Sequence, residues 1–310
     1  VSVTWCQDEN ITIWANTSDP ARAPRDTTLS WSLVAEPLSD HPVNIITGSD
    51  YKAEVNAQTD IDFHHNFIAN SSHRNPLFKH KRGRFVNNLV YNWSYYAMQI
   101  GGGGSFDILG NVFAAGPITP DDVHEVQVYP RGNASTADGT TSLHIAGNVG
   151  PHDPNASDNW GNLVREITGE NGDERGLLAT THRRDTPLPA PGSGLSITVE
   201  PTATLAAKVL AEVGASKRLA CDGTWESNRD AVDTRIVEGY PTRGGVPDRE
   251  TDSGFGGFPT LAAGTPCPDA DDDGIPDALE TARCGSASCL DPNAVGSDGF
   301  TQLERYLNGM

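Results

Sequence analysis

The residues best equipped for chemistry form an acidic run near the C-terminal end, DADDDGIPDALE, which spans 269–280. Its carboxylates fall at positions 1, 3, 5, 9 and 12 of a twelve-residue loop, and Gly274 stands at position 6, where the chain must turn sharply. Carboxylate oxygens at this spacing suit Ca2+, and the backbone carbonyl of Ile275 would add a ligand. We therefore predict a structural calcium site of the EF-hand type, with the side-chain ligands Asp269, Asp271, Asp273, Asp277 and Glu280.

A shorter acidic stretch, 298–304, follows this loop. It keeps an Asp-Gly pair and a Glu but lacks the earlier aspartates, so it is a degenerate loop or shares ligands with the first one. The alternative for the first loop is a solvated acidic linker.

A cluster of cations lies in the run FHHNFIANSSHRNPLFKHKRGRFVNN, which spans 63–88. Cations are scarce in this chain, because 22 basic residues face 41 acidic ones and the formal net charge is −19. Two interpretations remain open: the cations pair with carboxylates of the same protein, or they bind an acidic polysaccharide laid along a groove. The members of the cluster are Arg74, Lys79, Lys81, Arg82 and Arg84.

The overall charge argues against two classes of partner. A net charge of −19 repels nucleic acid phosphates and anionic membrane surfaces, so we expect neither as a partner. No run approaches the ~18 apolar residues of a membrane-spanning helix. The chain starts at Val1 rather than at an initiator Met with a signal region, so we expect it to begin mid-protein.

The cysteines indicate an oxidising compartment. None of the five has the CxxC spacing of a zinc site, and three crowd into the tail. A tail disulfide that joins Cys284 to Cys289 or to Cys267 would fit a secreted protein, whereas unpaired buried thiols are the alternative. We expect a secreted monomer.

The composition and a repeated pattern predict the elements that must position these residues. The 32 Gly and 21 Pro, with only 36% hydrophobic residues, suit short strands joined by many turns. Four segments share alternating apolar residues that end in an asparagine and two more apolar positions: IDFHHNFI, RFVNNLVY, FDILGNVF and LHIAGNVG. Their marker residues are Asn66, Asn88, Asn111 and Asn148, and Ser32 holds the same slot in TTLSWSLV.

The spacing of these markers predicts a β-solenoid. The steps from 66 to 88 and from 88 to 111 are 22 and 23 residues, which suits one coil of a parallel β-helix. An asparagine at the bend can adopt left-handed backbone geometry and stack its amide on the copy in the next coil. An antiparallel sandwich is the alternative, but its strands usually recur every 8–12 residues or so.

The regularity fades after about residue 150. The stretch 201–217, PTATLAAKVLAEVGASK, has the spacing of an amphipathic helix, and 226–238 is a second helix candidate. We predict three parts: a parallel β-helix over 1–150 whose N-terminal coils are missing, an irregular extension over 151–260 whose helices pack on it, and a calcium-binding tail over 261–310.

The run 63–88 resembles the pectate lyases of polysaccharide lyase family 1. That family couples a histidine-asparagine strand to R-x-P-x-x-R and to a further strand with paired asparagines, and here these stand as HHN at 64–66, RNPLFK at 74–79 and NN at 87–88. Upstream, VSVTWCQDENITIW is similar to the family's strand that follows an Asp-His pair. Downstream, PCPDADDDGIPDALE and DGFTQLERYLNGM resemble the EF-hand or thrombospondin type 3-like calcium-binding tails of many bacterial members.

The resemblance implies an all-β fold, a right-handed, single-stranded parallel β-helix of the pectin-lyase type with a small calcium-binding tail. It also implies β-elimination in polygalacturonate (pectate), with bound Ca2+ neutralising the carboxylate next to the proton that is removed. By position, Arg74 matches the catalytic arginine, Lys79 falls where a second arginine grips the substrate carboxylate, and Asp8 matches the first acid of a two-acid metal motif. Lys52 and Arg82 are further candidates for substrate binding.

The role of Arg74 is open between two forms of chemistry. A guanidinium holds its proton tightly, so Arg74 acts either as a base helped by neighbouring cations or as a bidentate clamp on the substrate carboxylate.

Two positions depart from the family pattern. Thr12 stands where the second acid is expected, four residues after Asp8, and the lysine expected after SLVAE is absent. Glu36 and Asp40 are candidates to supply oxygens from the next coil, whereas Glu9 should point to the face opposite Asp8. The alternative function is therefore a non-catalytic β-helix that binds acidic polysaccharide, and a purely structural surface protein is a third possibility.

Overall fold

The structure is a computed structural model that describes residues 1–38, 41–133, 135–191, 196–245, 260 and 264–309. The chain divides into two compact units, Val1–Gly214 with Val232–Phe258 and Ala215–Ala231 with Pro259–Met310. Within the described ranges, no helix has the length and apolar character needed to cross a membrane.

Short strands that return to three sheets in turn build the first unit. In chain order they are β1 (Ser2–Thr4), β2 (Glu9–Ala15), β3 (Thr27–Ser30), β4 (Leu33–Ala35), β5 (Val43–Ser49), β6 (Ile61–His64), β7 (Phe67–Ser71), β8 (Leu77–Phe78), β9 (Arg82–Val86), β10 (Leu89–Trp93), β11 (Met98–Gly101), β12 (Ser105–Leu109), β13 (Val112–Ala114), β14 (Val126–Tyr129), β15 (Ser142–Ala146), β16 (Val164–Ile167) and β17 (Glu174–Gly176).

Through β15 each sheet takes every third strand, and β16 and β17 extend sheet B. Sheet A has the order β1-β4-β7-β10-β13, sheet B has β17-β16-β14-β11-β8-β5-β2 and sheet C has β15-β12-β9-β6-β3. Neighbours pair in parallel, apart from β16 with β17. Three consecutive strands therefore make one coil, and the coils stack, which agrees with the predicted parallel β-helix and excludes the sandwich. Strand β16 carries the stack beyond residue 150, where we predicted its end.

The interior of the stack is apolar and closely packed. The ring centroid of Phe78 lies 5.2 Å from that of Phe63 and 5.4 Å from that of Phe106, and all three side chains are inaccessible to solvent. These rings come from two sheets and meet along the axis. Because the inward residues are fixed by this packing, the alternate residues of each strand must face outward.

A ladder of asparagines lines the corner between sheets C and A. The side-chain amide of Asn66 donates to Asn88 Oδ1 at 2.9 Å, Asn88 donates to Asn111 at 3.1 Å, and Asn111 donates to Asn148 at 2.8 Å. Ser32 joins the ladder through its backbone N–H, which donates to Asn66 Oδ1 at 3.0 Å. The predicted stacking of marker residues is confirmed.

The backbone geometry at this corner differs from our prediction. The left-handed residue is the one before each marker: His65 has φ 55°, Asn87 has φ 51° and Gly110 has φ 60°. The marker asparagine must instead continue into the sheet A strand, so its amide is free to point along the stack. At the end of the sheet A strands asparagines do take the left-handed position, as at Asn70 (φ 53°) and Asn92 (φ 58°).

Helices form within both predicted stretches, 201–217 and 226–238, but they are shorter than predicted, because residues 217 and 226–227 lie in strands of the second unit. The helices so far are α1 (Lys52–Ala57), α2 (Asn159–Leu163), α3 (Thr202–Glu212) and α4 (Ala231–Gly239). Leu205 and Val209 of α3 and Ile236 of α4 are buried in one apolar cluster with Phe67 and Leu89 of sheet A. These helices therefore cover the outer face of sheet A.

The second unit is small and held by disulfides. It contains an antiparallel hairpin, β18 (Lys217–Leu219) and β19 (Trp225–Ser227), and the helices α5 (Asp277–Cys284) and α6 (Gln302–Leu307). Cys284 is bonded to Cys289, one of the two pairings we considered, and Cys267 is bonded to Cys221.

Candidate functional site

Arg74 lies at the turn from sheet A to sheet B, between β7 and β8. Its backbone is left-handed, with φ 58°, and its carbonyl accepts a hydrogen bond from Ile45 N at 2.8 Å, which fixes the turn to β5. The guanidinium bonds to the carboxylate of Glu9 through Nη1, and Nη2 lies 3.6 Å from Glu170 Oε1. Arg74 is thus a largely buried cation between two carboxylates.

Lys79 follows β8 and reaches the same carboxylate. Its Nζ lies 2.6 Å from Glu170 Oε2 and 5.6 Å from the ring centroid of Trp14, and only 8% of its side chain is exposed. Gly48 makes room for this contact, because a Cβ there would lie 2.8 Å from the Trp14 ring and 3.0 Å from Lys79 Cβ. The two cations predicted to meet a substrate carboxylate therefore share a carboxylate of the chain itself.

Neutral groups complete the surroundings of this pair. The hydroxyls of Tyr96 and Tyr129 are buried beside Arg74 and Glu170, and neither makes a hydrogen bond of ordinary geometry. Burial raises the pKa of both tyrosines, so both stay protonated and can donate. Burial, together with the nearby Arg74 and His41, lowers the pKa of His73 to about 3, so this imidazole is neutral. Among the residues that the structure describes, the charged members of this group are Arg74, Lys79, Glu9 and Glu170.

Asp8 and Glu9 are placed differently from our prediction. Asp8 is exposed, and its Oδ1 lies 2.8 Å from Nδ1 of His41. Glu9, which we expected on the opposite face, bonds to Arg74. Asp8 lies at a bend before β2. The two-residue period of the strand, from which we predicted opposite faces, therefore does not apply to it. Thr12, at the position of the missing acid, lies within β2 and is exposed.

Lys52 and Arg82 contact other parts of the molecule. Lys52 begins α1 and its Nζ lies 3.2 Å from Asp138 Oδ1. Arg82 lies in β9 of sheet C, where it bonds to the carboxylate of Asp60 and to the carbonyl of Pro189. The structure does not bring Arg82 to Arg74 and Lys79, because the chain turns from sheet B into sheet C between them. For Arg82 the pairing interpretation of the cation cluster holds.

The acids proposed for the next coil do not join the site. Glu36 is fully buried, and both its oxygens accept from the guanidinium of Arg235, at 2.6 and 2.7 Å. A carboxylate paired in this way fixes helix α4 to the stack and is not free for a ligand. Asp40 lies outside the described residues.

The acidic loop of the second unit gathers carboxylates. Oxygens of Asp269, Asp271 and Asp273 all lie within 4.8 Å of one another. Glu280 is buried, and its Oε2 has no hydrogen-bond partner. Burial and then the nearby Asp273, Glu280 and Asp269 raise the pKa of Asp271. Gly274 makes the turn with φ 90°. The donor set fits a hard cation.

Two other acids of this unit are already engaged. Asp277 Oδ1 accepts from Ala270 N at 2.8 Å, which closes the loop. Asp298, in the degenerate second stretch, lies 2.7 Å from Nη2 of Arg305. That carboxylate is neutralised by the chain, so the second stretch offers less to a cation than the first.

No protein-family model matches this chain. It is 28% identical over 317 residues to a probable pectate lyase C from Aspergillus fumigatus, and 29% identical over 317 residues to one from Neosartorya fischeri; each alignment covers 100% of this chain and 64% of the relative. The chain therefore spans less than two thirds of these relatives, whose names support the resemblance seen in the sequence. The thermostable pectate lyase PL 47 matches with a TM-score of 0.36 at 15% identity over 67% of this chain and 44% of that chain, which is too low to carry an argument.

Sequence reasoning missed Glu170, Glu9 and the two tyrosines. Glu170 lies in a Gly-rich, polar stretch, TGENGD, that carries no repeat signal. Glu9 stands next to Asp8 in the sequence, and the family pattern matches Asp8 by position. For Tyr96 and Tyr129 the sequence offers no signal that separates them from packing aromatics.

Proposed function

We propose that this chain belongs to a secreted polysaccharide lyase that cleaves polygalacturonate by calcium-assisted β-elimination on a right-handed β-helix of the pectin-lyase type. The observation that carries this proposal is the convergence of Arg74 and Lys79 on one carboxylate beside sheet B. Two cations and nearby hydroxyl donors suit the carboxylate of a uronic acid. The similarity to probable pectate lyases supports the same substrate class.

The reaction requires transfer of the proton on C5, next to the carboxylate, to a base, which is Arg74 in the base role and a water molecule in the clamp role. The glycosidic oxygen departs from C4 and takes up a proton from solvent, which leaves a C4–C5 double bond. Negative charge moves onto the carboxylate as the proton leaves, so groups that hold the carboxylate stabilise the transition state. Arg74 and Lys79 would hold it from two sides. The clamp role for Arg74 fits the present geometry better than the base role, because Glu9 and Glu170 both stabilise a positive guanidinium.

Calcium beside Arg74 and Lys79 is a further part of this proposal. Among the residues that the structure describes, the groove around these two cations does not bring ligand atoms of three acidic or imidazole side chains within 4.8 Å of one another. Asp8 remains the predicted ligand, and the substrate's own carboxylates would have to complete the site. Bound Ca2+ would neutralise the uronate and favour proton removal.

Calcium in the second unit is a separate, structural proposal. Asp269, Asp271, Asp273 and the buried Glu280 would hold the ion, and it would relieve the repulsion among these carboxylates. The two disulfides of this unit fit an oxidising environment outside the cell, where we expect the protein to act as a monomer.

A direct assay tests the function. The protein is mixed with polygalacturonate in the presence of Ca2+, and the ultraviolet absorbance of the new double bond is followed. A lyase produces a steady rise that requires substrate and stops when Ca2+ is chelated. Binding without this signal would favour the non-catalytic polysaccharide-binding protein, for which the exposed Thr12 at an expected metal position is the supporting observation.

A further inference from the structure

The loop that carries Glu170 follows β16 at the end of sheet B and reaches back to the groove around Arg74 and Lys79. Residues 168–173, Thr-Gly-Glu-Asn-Gly-Asp, join β16 to β17, and we call them the strap. The strap has no apolar side chain. Its turn is closed by hydrogen bonds from Thr168 N to Asp173 O at 3.1 Å and from Gly172 N to Gly169 O at 2.9 Å. The strap is therefore a compact polar turn without a packed core of its own.

The base of the strap is firmly anchored. Glu174 Oε2 lies 2.8 Å from Nδ1 of His124, and its Oε1 accepts from His124 N at 2.9 Å and from Gln127 Nε2 at 3.1 Å. On the other side, Ile167 is buried in the apolar cluster on sheet B. Both ends of the strap are thus held by the stack.

The tip of the strap is held by polar contacts. Beyond the two ion pairs of Glu170, Asn171 N donates to Gln99 Oε1 at 3.2 Å, and the hydroxyl of Tyr95 donates to Asn171 O at 2.6 Å. These contacts are hydrogen bonds and ion pairs. Water can replace such contacts at low cost, so an anchored base with a polar tip has the construction of a hinged cover.

The charges of the site require something to leave before an anion can bind. Arg74 and Lys79 are balanced by Glu9 and Glu170, so the group is neutral as it stands. Glu170 occupies the space between the two cations that a uronate carboxylate would need. The buried hydroxyls of Tyr96 and Tyr129 lie beside Arg74 and Glu170 and are further donors at the same place.

We propose that the strap closes the groove of the free protein, with Glu170 holding the place of a ligand carboxylate, and that an acidic saccharide binds by displacing it. The choice of ligand rests on the proposed function, but the displacement rests only on the contacts of Glu170. Glu170 is then a positioning residue: it keeps Arg74 and Lys79 in place until a ligand arrives.

Two variants of the full chain test this proposal. Glu170→Gln removes the competing charge, and Asp173→Asn removes a charge from the same strap at an exposed position that contacts neither cation. Hydrogen exchange of the peptide across 169–172 is measured in the free proteins, and affinity for trigalacturonate is measured by calorimetry in EDTA. We expect exchange about tenfold faster in Glu170→Gln than in the wild type, and affinity about tenfold tighter, because a charged hydrogen bond of roughly 1.5 kcal/mol is lost. Asp173→Asn should match the wild type in both measurements.

The outcomes separate the strap from the function. If trigalacturonate speeds exchange across 169–172 in the wild type, the displacement is supported; if it slows exchange there, the strap closes on the ligand and the proposal is wrong. Equal exchange in the wild type and Glu170→Gln also overturns it, even where the wild type cleaves polygalacturonate. A wild type that neither binds nor cleaves polygalacturonate overturns the proposed function, while the exchange comparison of the free proteins still decides whether Glu170 holds the strap.

Discussion

Sheets B and C both take cations from one short run of sequence, but the two sheets neutralise them differently. On sheet C, Arg84 lies directly opposite Asp62 in the neighbouring strand, and its guanidinium bonds to both carboxylate oxygens. Beside sheet B, Lys79 meets Glu170, which comes from the strap and not from a neighbouring strand. A carboxylate in the strand ladder is fixed by the fold, whereas one on a loop can leave. Only the second arrangement can become a binding site.

The largest expected effect comes from removing a cation beside sheet B. Arg74→Ala should lower kcat/KM on polygalacturonate by about 10³-fold, because it removes a donor that holds the developing charge. The rise in ultraviolet absorbance gives the rates, and circular dichroism checks that the variant is folded. Arg84→Lys, on sheet C, should stay within about twofold of the wild type. An Arg74→Ala variant within tenfold of the wild type would contradict the assignment.

The next effect is the loss of stability expected from removing a cation on sheet C. Arg84→Met leaves Asp62, whose side chain is 3% exposed, without its ion-pair partner. Removing one partner of a buried pair costs about 3 kcal/mol in the free energy of unfolding. Urea unfolding measures this loss. Arg74→Met should cost less, because Glu170 is 24% exposed and can turn towards water. Equal losses in the two variants would show that the sheets do not differ in this respect.

A smaller effect concerns the corner between the two sheets, where His80 lies between Phe78 and Phe106. Burial, opposed by a hydrogen bond with the Ile61 backbone, lowers the pKa of His80 from its ordinary 6.5 to about 3. Below pH 6.5 only the unfolded chain takes up this proton, so stability is complete above pH 6.5 and is lost towards pH 3. The loss is about 1.4 kcal/mol per pH unit.

A matched variant isolates this contribution. Between pH ~6.5 and ~4.5 the free energy of unfolding of the wild type should fall by about 2 kcal/mol more than that of His80→Gln, since the variant has no imidazole to protonate. Urea unfolding at the two pH values measures both. Parallel losses in the two proteins would mean that His80 is protonated while folded.

The smallest effect extends the comparison to the second unit, where Asp269, Asp271 and Asp273 gather. Millimolar Ca2+ should raise the unfolding midpoint of this unit by about 3 °C relative to EDTA, by binding the folded form. Differential scanning calorimetry measures the shift. Asp271→Asn should abolish it, whereas Asp298→Asn should keep it, because Asp298 is already paired with Arg305. A shift that survives Asp271→Asn would contradict the proposed ligand set.

The stack could be predicted from the sequence because the pattern of apolar residues shows which side chains are buried. Alternating apolar residues and a recurring asparagine encode an inward face and a corner, and both are present at Asn66, Asn88 and Asn111. The helix at 201–217 was visible for the same reason, since its apolar spacing matches the cluster around Leu205.

The site was harder to predict, because its members meet only through the fold. Arg74 and Lys79 lie in one motif, but Glu170 arrives from a stretch without any periodicity, three coils along the stack. Arg82 follows Lys79 closely in sequence, yet the corner at His80 sends it to another sheet. Proximity in sequence therefore predicted a larger cation cluster than the fold brings together. The alternation of strand residues gave a wrong prediction at Asp8, because Asp8 precedes its strand.

The asparagine ladder has a built-in terminus. Asn148 donates to Oδ1 of Asn159, a residue of helix α2, and Asn159 donates in turn to the Asn148 carbonyl and to Asp153 Oδ2, both at 2.8 Å. Asp153 also accepts from the backbone N–H and the hydroxyl of Ser157, so the carboxylate that binds Asn159 is itself held by further hydrogen bonds. The row of stacked side-chain amides therefore ends at Asn159. The asparagine row at the corner of sheets C and A thus ends on a helix, while sheet B continues past it through β16.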